Sequence, residues 1–290
     1  MSWLQLHMQL GSAELSSVEA LLEELGALSL TLMDAEDRPI FEPPLGELPL
    51  WESLKVTALF DAEADPWLIH AAVDALDKVV VRDWRQEILE DDDWERKWME
   101  RFEPMCFGKR LWIVPSWRDA PESNAINISL DPGLAFGSGT HETTSLCLEW
   151  LDDHDITDQS VLDFGCGSGI LAIAALKLGA ADADGVDIDP QAVTASSDNA
   201  EKNSVDAGQF QLFLPGDSPH QEYDLVIANI LSGPLVELSG TLATRSRDGA
   251  NTLLSGSQRE QAHQVPTAYA RWLNMDTPVF KGDWTRLTGT

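Results

Sequence analysis

Three glycines and three acids, closely spaced, carry the most chemistry in this sequence. Within residues 161–189, VLDFGCGSGILAIAALKLGAADADGVDID, an apolar run (Val161, Leu162, Phe164) meets Asp163 and then Gly165, Gly167 and Gly169. An apolar helix is expected over Ile170–Leu178, and a second strand over Ala183–Val186 closes on Asp187 and Asp189. This order is the first half of a nucleotide-binding βαβ unit. Glycine suits a place where the backbone must turn sharply and let a ligand come close. The helix start beyond it presents free N–H groups at the positive end of its dipole. An acid about twenty residues on, at the tip of the second strand, can bind both hydroxyls of a ribose. Asp187 stands there. Asp163, just ahead of the first glycine, is placed to organise the loop or to meet a cationic group.

The glycine spacing narrows the ligand. It reads G-x-G-x-G followed by Ile170, so the third glycine of the dinucleotide pattern G-x-G-x-x-G is missing. That favours S-adenosylmethionine, which has a ribose diol and an ammonium group but no pyrophosphate. Cys166 reads as a small residue inside the turn and is assigned no chemistry.

Two further stretches carry polar groups toward the same place. Asp131–Thr144, DPGLAFGSGTHETT, is too rich in glycine for a helix or strand and precedes an apolar helix over Ser145–Leu151. As plain structure it is a loop with Thr143 or Thr144 as helix cap. As function, it folds over a cofactor with Phe136 in the fold, while hydroxyls at the helix start grip a carboxylate. His141 has no ligand-forming neighbours in the sequence, and no metal is expected. Asp224–Asn229, DLVIAN, is an apolar strand that sets the Asn229 amide at the carboxyl edge of a sheet, where open α/β sheets bind ligands.

These groups need a scaffold, and the chain from 160 to about 271 alternates strands with helices, as a doubly wound parallel sheet does. A helix over Pro190–Asn203 and a strand over Phe210–Leu214 continue the pattern. Leu253–Leu254, Met275–Phe280 and Trp284–Thr288 can complete the sheet. Ahead of it, strands near 3–10, 28–33 and 54–60 and from Val79 interleave with helices at Ser16–Leu25 and Pro66–Leu76. Ser16 and Asp65 are the expected caps. That order, β-α-β-β-α-β, is a ferredoxin-like α+β domain. The polar turn at 34–39 and a loop with Pro43, Pro44, Gly46 and Pro49 lie within it. Between the lobes, DDDWERKWMERF reads as a helix whose Trp94, Trp98 and Phe102 form one stripe, a core or domain contact. Strands are expected at Leu111–Val114 and Ile126–Ser129. The domains are drawn at 1–88, 89–125 (the Trp-rich linker and lead-in strands) and 126–290.

The 49 acids against 19 bases give a net charge of −30. Direct nucleic-acid binding is therefore not expected, because phosphate contacts need a basic surface. The acidity fits a solvated surface in a salty cytoplasm, electrostatic attraction of a basic protein, or both. Residues 1–80 hold 15 acids and 3 bases and no catalytic motif, so this lobe is read as a binding element. No run approaches the roughly 20 apolar residues of a membrane span. MSWLQLHMQL lacks the basic start of a signal peptide. Three cysteines, Cys106, Cys147 and Cys166, show neither paired nor metal-ligand spacing, which fits a reducing cytoplasm.

Taken together, DPGLAFGSGTHETTSLCLEWL, VLDFGCGSGILAIAALKLGA, GVDIDPQAV and ANILSGPL resemble the bacterial family that methylates large-subunit ribosomal protein L-eleven. The resemblance covers essentially the whole chain. It implies a class I (Rossmann-like) methyltransferase domain joined by a linker to a substrate-recognition domain. It further implies a protein-lysine N-methyltransferase that modifies lysine ε-amines and the N-terminal α-amine of its ribosomal substrate. On the matching positions, Thr144, Gly165, Asp187 and Asn229 would contact the cofactor. Asp163, Gly167 and Phe136 join them from the residue reading. Asn229 would aim the amine, and a monomer is expected. A nicotinamide-dependent oxidoreductase and a non-catalytic ribosome-associated binding module are the alternatives.

Overall fold

A computed structural model describes residues 2–36, 50–90, 102–131 and 139–290. Contacts divide the chain into two units, 1–101 and 102–290. The expected helix with Trp94 and Trp98, the loop at Pro43–Pro49 and Phe136 lie outside the described residues.

The first unit runs β1 (Ser2–Gly11), α1 (Leu15–Glu24), β2 (Ser29–Asp34), β3 (Ser53–Asp61), α2 (Pro66–Asp74) and β4 (Arg82–Glu90). Its sheet is antiparallel, in the order β2-β3-β1-β4. Period-two patterning sets the register. Leu4, Leu6, Met8 and Leu10 pair with Phe60, Ala58, Val56 and Leu54, and all eight are buried. Leu15, Val18 and Leu22 of α1, with Ile69 and Val73 of α2, close that face. Asp65 caps α2 through Trp67 N and Leu68 N. Two expectations shift. Ser16 lies inside α1, which follows a single 3₁₀ turn at Ser12–Glu14, and so is not its cap. The fourth strand starts at Arg82 and not at Val79, because the Glu14 carboxylate accepts the Val80 N–H (3.3 Å), diverting it from the ladder.

The second unit opens with β5 (Met105–Phe107), β6 (Leu111–Val114) and β7 (Ile126–Ser129), a small sheet in which β6 pairs antiparallel to β5 and parallel to β7. There follow α3 (Glu142–Asp153), β8 (Ser160–Phe164), α4 (Ile170–Lys177), β9 (Asp182–Val186), α5 (Pro190–Lys202), β10 (Phe210–Phe213) and β11 (Tyr223–Asn229). Then come α6 (Ser232–Glu237), α7 (Ser239–Ala243), β12 (Ser246–Gln258), α8 (Gln264–Tyr269), β13 (Val279–Lys281) and β14 (Trp284–Gly289). The seven-stranded sheet has the order β10-β9-β8-β11-β12-β14-β13. The first five strands are parallel, whereas β14 runs antiparallel to both β12 and β13. The sheet is therefore mixed, not purely parallel. In the first unit β4 reaches Glu90, and in the second β6 pairs with β7 across 125/126.

Both faces of the large sheet are covered, which is why its strands read as continuous apolar runs. Val161, Leu225, Ile227 and Leu253 pack with α3 and α4, while Leu162, Val226, Ala228 and Leu254 pack with α6 and α8. Buried polar clasps tie the small sheet to this body. The Asn203 amide, at the end of α5, takes the Ser129 N–H (2.7 Å) and donates to the Ser129 carbonyl (2.8 Å). Asp152 of α3 accepts from Lys109 N (2.6 Å), Arg110 N (3.2 Å) and Arg110 Nε (3.2 Å). Removing a partner from a buried pair leaves the other group unsatisfied. Asn203→Ala should therefore lower unfolding free energy by about 1–3 kcal/mol in a urea titration; an unchanged midpoint would show that the clasp is dispensable.

Candidate active site

The chain order reverses between β8 and β11: β9 and β10 lie on one side of β8, β11 and β12 on the other. Carboxyl ends of strands diverge at such a point and leave a crevice. A cavity of about 760 Å³ opens there, well inside the range of ligand sites. Its wall takes residues from the ends of β8, β9, β11 and β12 and from the start of α3.

The β8–α4 turn forms the floor. Gly165, Gly167 and Gly169 all have positive φ (80°, 56° and 75°). At Gly165 a side chain has no room either, since its Cβ would lie 2.2 Å from Ile230 Cγ2. Neighbouring elements fasten the turn. Gly165 N and Cys166 N donate to the Val186 carbonyl (2.7 and 3.1 Å). Ser196 Oγ donates to the Gly167 carbonyl (2.9 Å), and Asn199 Nδ2 to that of Ser168 (2.9 Å). Asp187 completes the frame: Oδ2 accepts the Gly167 N–H (2.8 Å) and Oδ1 the Asp189 N–H (3.0 Å). An ionised carboxylate has about four acceptor positions, so two hydroxyls of a ligand can still be taken. Ile188, 83% exposed, stands beside it as an apolar ledge.

Across the cavity, Asn229 Nδ2 donates to Thr144 Oγ1 (3.3 Å), and Asn229 Oδ1 is buried without a hydrogen-bond partner among the described residues. A buried acceptor left unpaired costs roughly 1–3 kcal/mol, so this atom is a natural seat for a ligand N–H. Thr144 sits in the first turn of α3, but neither threonine is the cap. His141 is, with Nδ1 accepting the Thr143 N–H (3.3 Å), and its ring meets Trp284 edge-on at 4.6 Å.

Thr144, Gly165, Gly167, Asp187 and Asn229 thus line one cavity. Asp163 does not. It is fully buried beneath the turn, with Oδ2 accepting the Ala172 N–H (3.1 Å) and Oδ1 unpaired. Burial, reinforced by the Asp187 charge and opposed by the Ala172 bond, pushes its carboxyl up to about 7. Burial and nearby Asp163 push the Cys166 thiol up to about 12, so it stays protonated and is no nucleophile. Trp284 and Gly256 were not picked out by the sequence. Gly256, at φ 95°, marks a bulge where a Cβ would lie 2.0 Å from the Ile230 carbonyl, and a lone glycine within a strand is the signal for such a place. Trp284 arrives only because β14 returns antiparallel.

A cavity-lining acid tied to a glycine turn, an apolar wall and an orphan amide oxygen fit S-adenosylmethionine, and with this strand order they define a class I methyltransferase. The family described as Ribosomal protein L11 methyltransferase (PrmA) matches residues 2–290. A "Ribosomal protein L11 methyltransferase" of Pseudomonas savastanoi pv. phaseolicola is 52% identical over 289 residues, 100% of this chain and 99% of its own length. One of Actinobacillus pleuropneumoniae serotype 3 is 52% identical over 294 residues, with the same coverage. The crystal structure of a ribosomal protein L11 methylase from Lactobacillus delbrueckii subsp. bulgaricus is 32% identical, spans 65% of this chain and 98% of its own, and gives a TM-score of 0.60. The chain belongs to the ribosomal protein L11 methyltransferase family. Neither the nicotinamide-dependent nor the non-catalytic reading is favoured by these matches.

Asp163 yields a signed pH dependence. Its folded value is raised, so the native state holds the proton more tightly than the unfolded chain between about 4 and about 7. The stability this contributes is complete below the unfolded value and is lost as pH rises through about 7. Asp163→Asn should remove roughly 1–3 kcal/mol of the stability difference between pH 5 and pH 8, read by urea unfolding at both. An identical slope in the variant would refute this origin.

Proposed function

We propose that the protein transfers methyl groups to lysine ε-amines and the N-terminal α-amine of large-subunit ribosomal protein L11. In this reading it acts as a cytoplasmic monomer, without direct nucleic-acid contact. The names of its relatives support the substrate, and the single observation that carries the chemistry is the unpaired Asn229 Oδ1 in the cavity wall. Three free cysteines fit a reducing compartment, and no helix among the described residues is long and apolar enough to cross a membrane.

S-adenosylmethionine supplies the electrophilic methyl group. Asp187 and the turn at Gly165–Gly167 would hold its ribose and flank it, and Thr144 and the start of α3 would face its amino-acid end. The amine must lose a proton before it reacts, which for a lysine at pH 7 costs about 4–5 kcal/mol. An apolar wall lowers that cost by disfavouring the ammonium form. Asn229 Oδ1 accepts one N–H of the neutral amine and so fixes where its lone pair points, while Thr144 anchors the other end of the amide. Water receives the proton lost.

Mass spectrometry of purified L11 after incubation with enzyme and cofactor tests the activity: added methyl groups on lysines and the N-terminus are expected, and an unmodified protein refutes it. The role of Asn229 is separable from binding. Asn229→Ala should lower single-turnover methyl transfer more than cofactor affinity, since orientation counts most in the transition state. Asn229→Asp should also slow transfer, because a carboxylate there stabilises the protonated amine. Parent-rate transfer by both variants would leave Asn229 as merely a strand end.

A further inference from the structure

We propose that the outer face of α2 is a docking surface for a basic protein, with Trp67 as its anchor. This rests on the reading above that the substrate is the basic ribosomal protein. The helix is PWLIHAAVD, and its inward positions, Ile69 and Val73, are buried in the first unit's core. A surface helix ordinarily turns charged or polar residues outward. Here the outward positions are Trp67 and Leu68, 73% and 60% exposed, followed by exposed Ala71 and Ala75. Trp67, Ala71 and Ala75 recur every four residues, so small side chains leave the indole standing proud of a shallow apolar strip. Exposed apolar strips rimmed by polar groups mark interaction sites, and tryptophan is favoured among anchors that dominate binding.

Charge decides the occupant. Residues 61–77 contain five acids, Asp61, Glu63, Asp65, Asp74 and Asp77, all exposed, and no lysine or arginine. Two of them are held in place: Asp61 accepts Glu63 N (3.3 Å), and Asp65 accepts Trp67 N (2.9 Å) and Leu68 N (3.3 Å). Charges already fixed lose little freedom on binding. A second copy of this chain would bring an identical acidic rim against this one, a juxtaposition that like charges oppose. A partner presenting an apolar spot among lysines or arginines meets both the strip and the rim.

The test uses the intact enzyme, purified L11 and two variants that spare the Asp65 cap: Trp67→Ala/Leu68→Ala and Asp61→Asn/Glu63→Gln. By calorimetry the first should bind L11 about tenfold or more weakly, with cofactor affinity unchanged. The second should bind more weakly and lose part of the parent's salt dependence. If the parent methylates L11 and Trp67→Ala/Leu68→Ala binds it like the parent, the docking proposal falls while the substrate reading stands. If the parent neither binds nor methylates L11, both fall. A parent dimer that dissociates in the apolar variant, with L11 affinity unchanged, would assign the face to a second copy and overturn the proposal.

Discussion

The hydrogen bond from Gly167 N–H to Asp187 Oδ2 (2.8 Å) is the constraint on which the active site depends. It joins the turn after the first strand of the large sheet to the tip of the second. Without an acceptor there, a half-buried backbone N–H would face the cavity with no partner. The same carboxylate keeps further acceptor positions for a ligand. One side chain therefore fastens the floor and also lines the cavity. The remaining ties, from Val186, Ser196 and Asn199, support that floor from neighbouring elements.

Asn229 faces this floor for a topological reason. The sheet order sets β11 directly beside β8, with Ile227 level with Asp163. Two residues further on, the Asn229 amide stands beyond the strand end, where Thr144 can hold it. Gly256 lets β12 pass in contact with the Ile230 carbonyl, so the segment after Asn229 has a fixed course. Much of the cavity wall is apolar, which strengthens each polar contact within it and penalises a charged amine.

Much of this was legible in the sequence because it is written locally. Alternation at Leu4, Leu6, Met8 and Leu10 reports one buried face, and the glycine turn followed twenty residues later by Asp187 reports a βαβ crevice. What escaped is too short to show a period or depends on distant partners. β5, three residues long, pairs with β6 in a local hairpin. The start of β4 moved because Glu14, far away in sequence, takes Val80 N. No local pattern encodes the reversed direction of β14, and with it went Trp284. His141 replaced the expected threonine cap because an imidazole nitrogen serves as well as a hydroxyl when it lies in reach. Asp163 shows the opposite limit: its spacing in the motif is right, but burial beneath the turn makes it a support, not part of the cavity wall.

On the proposed reading, Asp187 both shapes the floor and holds the cofactor's ribose. Calorimetric titration of S-adenosylmethionine into the parent and Asp187→Ala proteins, matched for folding by circular dichroism, tests it most directly. One site is expected in the parent and a loss of about 1.5–3 kcal/mol in the variant, the worth of hydrogen bonds to a charged group. A folded variant with the parent's affinity would contradict it.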